Sequence, residues 1–527
     1  MTRIALVRAP HTYRYNRTDV REEVILTQLA HYLSAVGIAY SVFDFHLARH
    51  LVADDVVSRD PSAVVIAVRE TGDNVHYVLR LASYLTTQTQ APIFLYGQTA
   101  RLLGHPRVPD RVRLVAHDEP TLARMLGIPT NGPIFSGALQ LTPYAERDAL
   151  EPWQQARLRG SIETSRGCPY PCEFCFINAG ENHARRWQMQ PVKSTIANLA
   201  RYTDSGVNAF VLHDSEFLGG SRRDLANRIE LVEAIRHDLP PVAFKIYARA
   251  DTILRYPRLG ELRDAGLVSV FIGAESLVQS DLDALGKELR VEAIDEAIAR
   301  LADLGVYMDL SFILFNRATT TTTLRANLAR IHALYMSRHA RLLGMPHFTF
   351  SFESAWRSVS DRRLGTATYV GWDVRIKAPP TDGVAFDPTL EPLMEIYRLL
   401  AYEWSRKVVD LSLVRDAATD GERLHIERWF AGLGAFCADT MLQFLDLFER
   451  GALTQSTLPE AREQLFQSVS DYYRELPARL GDPATLECHA ARIGYQGVVE
   501  RVENDEYWTT QIPEMPAATG RSERSPS

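Results

Sequence analysis

Two stretches of this chain alternate short apolar runs with amphipathic segments of helical period, and that alternation restricts it to parallel α/β architectures. In the first stretch Ile4–Val7, Tyr40–Phe45, Ala63–Val68, Ile93–Tyr96 and Val112–Ala116 read as buried strands, with helices at Val20–Val36 and His76–Leu85. Residues 1–130 are therefore expected to form a doubly wound, Rossmann-like domain. Residues 131–160 contain Pro133, Pro143 and Pro152 with little periodicity and read as a linker. The alternation resumes at Ile162. Strands are expected at Ile162–Ser165, Ala209–His213, Val242–Tyr247, Val268–Gly273, Tyr307–Phe315 and His347–Glu353. Helices fall between them at Val192–Thr203, Arg223–His237, Thr252–Ala265, Val291–Leu304 and Thr321–Tyr335. This pattern predicts a (β/α)6 partial TIM barrel over 161–355, with its chemistry at the carboxyl ends of the strands. Residues 356–512 read as mainly helical, with helices at Leu390–Asp410, Glu422–Arg450 and Leu458–Arg479, and strand or loop at Thr366–Lys377 and Gly383–Phe386. The Pro-, Ser-, Gly- and Arg-rich stretch 513–527 reads as a disordered tail.

Composition excludes several classes. The 527 residues are 46% hydrophobic and 23% charged, with a net charge of −7 and a pI near 6.1. That balance argues against a general nucleic-acid binder or a binder of anionic membranes. No apolar run reaches the ~18–20 residues of a membrane span, and the apolar start at Ile4–Val7 is too short for a signal peptide. A cytoplasmic protein is expected. Arginine far outnumbers lysine, a bias associated with GC-rich genomes. The 5 cysteines are an odd number, and three crowd into 168–175, unlike a secreted disulfide framework. Clustered thiols in a reducing compartment are more often metal ligands, whereas Cys437 and Cys488 sit in apolar helical surroundings and read as inert core thiols.

The three form the run Arg166-Gly167-Cys168-Pro169-Tyr170-Pro171-Cys172-Glu173-Phe174-Cys175, just after a strand. Three thiolates on one tight loop can hold three irons of a cubane cluster and leave the fourth open. A structural zinc site is the competing reading, with His183 as a fourth ligand. The C-x-x-x-C-x-x-C spacing resembles that of the radical S-adenosylmethionine enzymes, and the resemblance extends over about Ile162 to Glu353. It implies that Cys168, Cys172 and Cys175 ligate a [4Fe–4S] cluster whose open iron chelates the amino and carboxylate groups of S-adenosylmethionine. It also implies that Phe174 packs on the adenine. The turn His213-Asp214-Ser215-Glu216 resembles the acidic turn that receives the methionyl amino group, which makes Asp214 and Glu216 candidates. The run Lys245-Ile246-Tyr247-Ala248-Arg249 sends Lys245, Tyr247 and Arg249 to one face, the barrel interior. Such cations need a partner, either a bound carboxylate or an internal salt bridge with Asp214 or Glu216. Gly273-Ala274-Glu275-Ser276 resembles the family's turn at the ribose hydroxyls, with a helix-capping acid as the other reading of Glu275. Asp281–Lys287 resembles the lysine-bearing loop that follows. Phe315 stands where the family commonly has a glycine.

The first domain resembles the cobalamin-binding-type domains of the same enzymes through Leu95–Ala100, Val112–Ala116 and Asp118–Leu122. It departs from them twice. Arg49 replaces the glycine of the cobalt-binding Asp-x-His-x-x-Gly motif at Asp44-Phe45-His46, and the Gly-Gly-Pro loop is reduced to Tyr96-Gly97-Gln98. A retained scaffold without cobalamin is the expectation. In this family an electron delivered to the cluster by a donor such as flavodoxin or ferredoxin cleaves the sulfonium. The resulting 5′-deoxyadenosyl radical then abstracts hydrogen from a small-molecule substrate. The polar His213–Glu216 turn favours dehydration of a sugar diol, and the chain resembles the radical diol-dehydratases of aminoglycosides, the paromamine-dehydrating type of apramycin biosynthesis. Glu216, His213 and Tyr247 would serve as its acid–base groups. The alternative is a cobalamin-dependent C-methyltransferase, and the remote one a non-enzymatic electron-transfer protein.

Overall fold

A computed structural model describes residues 3–9, 20–48, 50–68, 75–97, 111–115, 119–129, 150, 152–155, 157–172, 174–175, 187–316, 318–344, 347–349, 387–397, 399–400 and 420–480. The expectations for Arg49, His183, Cys488, 366–377, 383–386 and 513–527 lie outside the described residues, as does most of the expected linker. The described residues fall into two compact units, the first ending at Arg157 and the second beginning at Leu158.

The first unit is built on five parallel strands: β1 (Arg3–Arg8), β2 (Ala39–Asp44), β3 (Ala63–Ala67), β4 (Ile93–Tyr96) and β5 (Val112–Val115). Their order across the sheet is β2-β1-β3-β4-β5. Helices α1 (Val24–Ala35), α2 (Ala53–Ser58), α3 (Val75–Gln88) and α4 (Glu119–Leu126) connect or follow them. Strand residues alternate between two apolar layers. Val7, Val64 and Ile66 pack with Leu81 and Leu85 on one face, and Ile4, Leu6 and Val65 pack with Leu26, Leu29 and Leu122 on the other. A sheet buried on both faces is the doubly wound arrangement expected, and this order reverses direction between β1 and β3, where open α/β sheets form a crevice at their carboxyl ends. Helix α1 starts at Val24, four residues later than the apolar period suggested.

The second unit opens with β6 (Gly160–Ile162), then a small antiparallel pair, β7 (Ser165–Arg166) with β8 (Gln188–Met189). Helix α5 (Val192–Asp204) leads to β9 (Ala209–Leu212), and α6 (Arg222–Asp238) leads to β10 (Ala243–Ala248). Then follow α7 (Ala250–Arg255), α8 (Leu259–Asp264), β11 (Leu267–Glu275), α9 (Gln279–Ala284), α10 (Val291–Asp303), β12 (Tyr307–Ile313), α11 (Thr321–Tyr335) and β13 (His347–Thr349). The main sheet runs β6-β9-β10-β11-β12-β13, parallel throughout and in chain order, an open sheet of six strands rather than a closed barrel. The single helix expected over 252–265 is two, because Pro257 holds Tyr256 extended and removes the backbone donor that would continue α7. Capping fixes two helix starts. The Ser221 hydroxyl accepts from the Asp224 amide at 3.1 Å ahead of α6, and Thr320 does the same for Thr323 at 3.1 Å ahead of α11.

Two long helices, α12 (Asp420–Glu449) and α13 (Leu458–Leu480), belong to this same unit, so the expected C-terminal helical region packs on the sheet domain. Arg325 of α11 bridges Asp446 at 2.6 Å and Glu449 at 2.7 Å of α12. Phe315 packs against Tyr397 with ring centres 5.3 Å apart, which gives the residue that replaces the family's glycine a core function. Cys437 lies buried in α12, where burial drives its thiol well above the ordinary range, as befits an inert core thiol. Among the described residues no helix is long and apolar enough to cross a membrane.

Candidate active site at the carboxyl ends of the six-stranded sheet

The cysteine loop leaves β7 and crosses the carboxyl edge of the sheet. Cys168 and Cys172 are buried and Cys175 is half-buried, with the Cys175 amide donating to the Cys172 carbonyl at 3.2 Å. Burial pushes the Cys168 thiol up to about 11, so a bound cation must displace its proton. Among the described residues no three His, Cys, Asp or Glu side chains are grouped to hold a single metal ion. A mononuclear zinc site needs thiolates about 3.8 Å apart, from Zn–S bonds of about 2.3 Å, whereas a cubane spreads its ligands over separate irons. Two cations stand over the loop. The Arg249 guanidinium lies 3.4 Å from Cys172 Sγ, and the Lys287 ammonium lies 5.4 Å from the Phe174 ring centre. Soft thiolates beside buried positive charge suit an anionic iron–sulfur cluster.

A buried network holds the base of this loop. Asp214 accepts from the Thr164 hydroxyl at 2.8 Å, from the Ser165 hydroxyl at 2.8 Å and from the Ser165 amide. Arg228 of α6 pairs with Asp214 at 3.8 Å, donates to the same two hydroxyls and lies 4.0 Å from the Phe217 ring centre. Burial raises the Asp214 carboxyl and lowers the Arg228 guanidinium to about 10, so neither ion is comfortable and each depends on the other. Asp214 therefore faces the protein interior beneath the cysteines. Arg228 was not legible in the sequence, since an arginine on an amphipathic helix reads as a solvated side chain.

Glu216 is buried just past β9 and its carboxylate is fully engaged. It accepts from Leu218 N at 3.1 Å, Thr252 Oγ1 at 3.0 Å and Arg249 N at 2.8 Å. Burial outweighs these bonds and raises its carboxyl to about 7. His213 and Tyr247 stack at 6.2 Å on one face of the sheet, and Phe271 lies 5.3 Å from Tyr247. Lys245 is on that face too, but its partner is Asp309 of β12, not Asp214 or Glu216 as the sequence suggested. The register explains why. Tyr247, Phe271 and Asp309 are directly paired across β10, β11 and β12, which places Asp309 in the row beside Lys245. An acid contributed 64 residues later along the chain leaves no local sequence signal.

Glu275 ends β11 with a positive φ of 62° at a register shift between Gly273 and Glu275. Its Oε1 accepts from Lys287 Nζ at 2.9 Å and its Oε2 from Ser311 Oγ at 3.1 Å. A Cβ on Gly273 would lie 2.4 Å from Glu275 Oε1 and 2.9 Å from Lys287 Nζ, so a side chain there would make this pair shift. Strained backbone of this kind persists where the surroundings over-determine it, often at functional sites. Burial alone would push the Lys287 ammonium down, but Glu275 and the Cys172 sulfur outweigh it and the net direction is up. Ser276 faces the other way: it accepts from Asn327 Nδ2 at 2.9 Å and donates to Asp281 at 3.1 Å, bracing α9 against α11.

Residues 162–317 match the model of the Radical SAM superfamily. The chain carries a radical SAM domain. Two curated relatives match part of this chain. They are the anaerobic magnesium-protoporphyrin IX monomethyl ester cyclase of Rubrivivax gelatinosus, 33% identical over 30% of this chain, and the hopanoid C-3 methylase of Methylococcus capsulatus, 25% identical over 29%. The aligned segments span only 28% of each relative. A solved structure, the cobalamin-dependent S-adenosylmethionine radical enzyme OxsB with aqua-cobalamin bound, matches 94% of this chain and 84% of its own at a TM-score of 0.60. With 14% identity, that is a likeness of fold.

In the first unit, taken by itself, the residues singled out in the sequence at two strand ends are held by local packing. Gly97 ends β4 with φ 152°, and a Cβ there would lie 2.0 Å from the Val68 carbonyl oxygen, so the strand end is closed by backbone approach. His46 is buried. Its neighbour Asp44 caps the His46 and Leu47 amides at 3.0 Å each and pairs with buried Arg8 at 3.2 Å. The Asp44–His46 motif is thus a structural turn in this chain.

Proposed function

We propose that this protein is a cobalamin-binding radical SAM enzyme that methylates an unactivated carbon of a small-molecule substrate. The observation that carries this reading is the order of units in one chain, a β2-β1-β3-β4-β5 sheet followed by an open parallel sheet with three cysteines at its carboxyl edge. A hopanoid methylase among the relatives favours methyl transfer, and OxsB, similar in fold, is described with cobalamin bound. When bound, the cluster and S-adenosylmethionine supply hydrogen abstraction from carbon, and cobalamin supplies a methyl group. The chain's own residues would do the rest. Cys168, Cys172 and Cys175 hold the cluster, and Phe174 lines the adenine. Glu275, fixed by Lys287 and Ser311, faces the ribose. The row His213, Tyr247, Phe271 and Asp309 would receive the substrate on that face of the sheet. That face is polar and half-exposed, unlike the packed apolar interior of a closed barrel. A reducing donor such as flavodoxin or ferredoxin and a cytoplasmic setting complete the picture.

Diol dehydration of an aminoglycoside sugar is the second reading, favoured by a Glu216 carboxyl raised to about 7. The three protein hydrogen bonds on Glu216 rank it lower, because a proton-transferring carboxylate needs an oxygen turned to the substrate. The experiment is anaerobic reconstitution with iron, sulfide and hydroxocobalamin, followed by desalting and incubation with methyl-labelled S-adenosylmethionine. Retained cobalamin and label transferred to an acceptor support methylation. Cobalamin-free protein that dehydrates paromamine would establish the second reading instead.

A further inference from the structure

Arg249 follows β10 and its side chain ends among the cysteines. Nη1 donates to Cys172 Sγ at 3.4 Å, Nε to Asp251 at 2.9 Å, and Nη2 to the carbonyls of Lys287 at 2.9 Å and Glu288 at 3.2 Å. The guanidinium lies 3.9 Å from the centre of the Tyr170 ring, within the cysteine loop itself. Its backbone amide is held by Glu216 at 2.8 Å. The residue is 5% exposed. Four donor contacts and a stacked ring leave the fork one orientation, with Nη1 aimed at the sulfur. A bound carboxylate, expected from the sequence as a partner for this arginine, would have to displace them.

We propose that Arg249 sets the reduction potential of the cluster through its hydrogen bond to Cys172. The cluster that Cys172 is read to ligate becomes more negative on reduction. A charged N–H donor on a ligating sulfur therefore stabilises the reduced form more than the oxidised form and raises the potential. Asp251 partly balances the guanidinium charge, and Arg255 in turn shares Asp251 at 3.4 Å. The directed bond, rather than net charge, is then the main effect. Arg249 is a positioning and tuning residue, distinct from the ligands. The inference rests on the radical SAM cluster assignment and adds a role to a residue outside the cysteine motif.

Wild type, Arg249→Met and Arg249→Lys are reconstituted anaerobically without S-adenosylmethionine. Iron per chain is measured, and the reduced cluster is followed by electron paramagnetic resonance during a redox titration. The expected result is wild-type iron content with a midpoint potential in Arg249→Met more negative by at least tenfold in the reduction equilibrium, 59 mV for a one-electron couple. Arg249→Lys, which keeps the charge and loses the fork, should fall between. An unchanged or raised potential in iron-retaining Arg249→Met overturns the proposal. If only that variant loses iron, an unchanged potential in Arg249→Lys overturns it. Loss of iron from both variants also overturns it and leaves Arg249 a support of the loop. Failure of the wild type to take up a [4Fe–4S] cluster would instead overturn the cluster assignment.

Discussion

At the scale of single residues, the cysteine loop was legible because three thiols, proposed here to hold one cluster, lie within 168–175 of the chain. The Cys168→Ala, Cys172→Ala, Cys175→Ala triple variant should lose the charge-transfer absorption and cleave no S-adenosylmethionine; wild-type iron content in it would sink the assignment. Cys437→Ser, remote from the sheet edge in α12, should keep its iron. Glu275 was legible as a strand-end acid, but not its pairing with Lys287 and Ser311. Glu275→Ala leaves a buried ammonium unpaired, a loss of about 3–5 kcal/mol by analogy with other broken buried pairs. The variant should bind S-adenosylmethionine more weakly in an equilibrium titration, and unchanged binding would place Glu275 outside the site. Glu216 supplies a pH test. Its carboxyl is raised from the ordinary 4.5 to about 7 by burial. Between those values the folded chain holds a proton that the unfolded chain releases, so stability falls as pH rises. Relative to Glu216→Gln, the wild type should therefore lose urea resistance as pH climbs from about 4.5 to about 7. A constant difference across that range would show that Glu216 does not titrate there.

At the scale of elements, strand and helix positions followed from apolar period, and the misreadings have local causes. Pro257 divided one expected helix into α7 and α8, and strand β6 stops at Ile162 because Ser165 and Arg166 pair with Gln188 and Met189 instead. Gly97 was read as the remnant of a tail-binding loop. The close approach of Val68 gives it a structural necessity, since a methyl group there meets a backbone oxygen that cannot move without parting β3 from β4. Gly97→Ala should lower the thermal midpoint of the first unit and reduce retained cobalamin, with iron content unchanged. Wild-type cobalamin retention and stability in that variant would mean that the strand end tolerates the clash. In the proposed reading the register between β10, β11 and β12 matters more than any single boundary. It sets Tyr247, Phe271 and Asp309 in one row, and a one-residue slip of any one of these strands would turn its member of the row to the opposite face.

At the scale of the whole molecule, the two units carry separable tasks in the proposed reading. Reconstitution without cobalamin should leave iron content and slow uncoupled cleavage of S-adenosylmethionine intact, while methyl transfer is lost; loss of iron without cobalamin would show that the tasks are coupled. The sequence by itself determined the α/β class, the order of the two sheets and the cysteine loop, because each depends on short-range spacing: the period of an apolar run, or three thiols on one turn. Tertiary structure alone decided which charges meet. Asp309 reaches Lys245, Arg228 reaches Asp214, Lys287 reaches Glu275 and Arg249 reaches Cys172. Lys245–Asp309 and Arg249–Cys172 join different repeats of the sheet, whereas Asp214–Arg228 and Glu275–Lys287 close within one strand–helix repeat. In all four, spacing along the chain does not say which charges meet, and a charge withdrawn from water must take whichever partner the packing delivers.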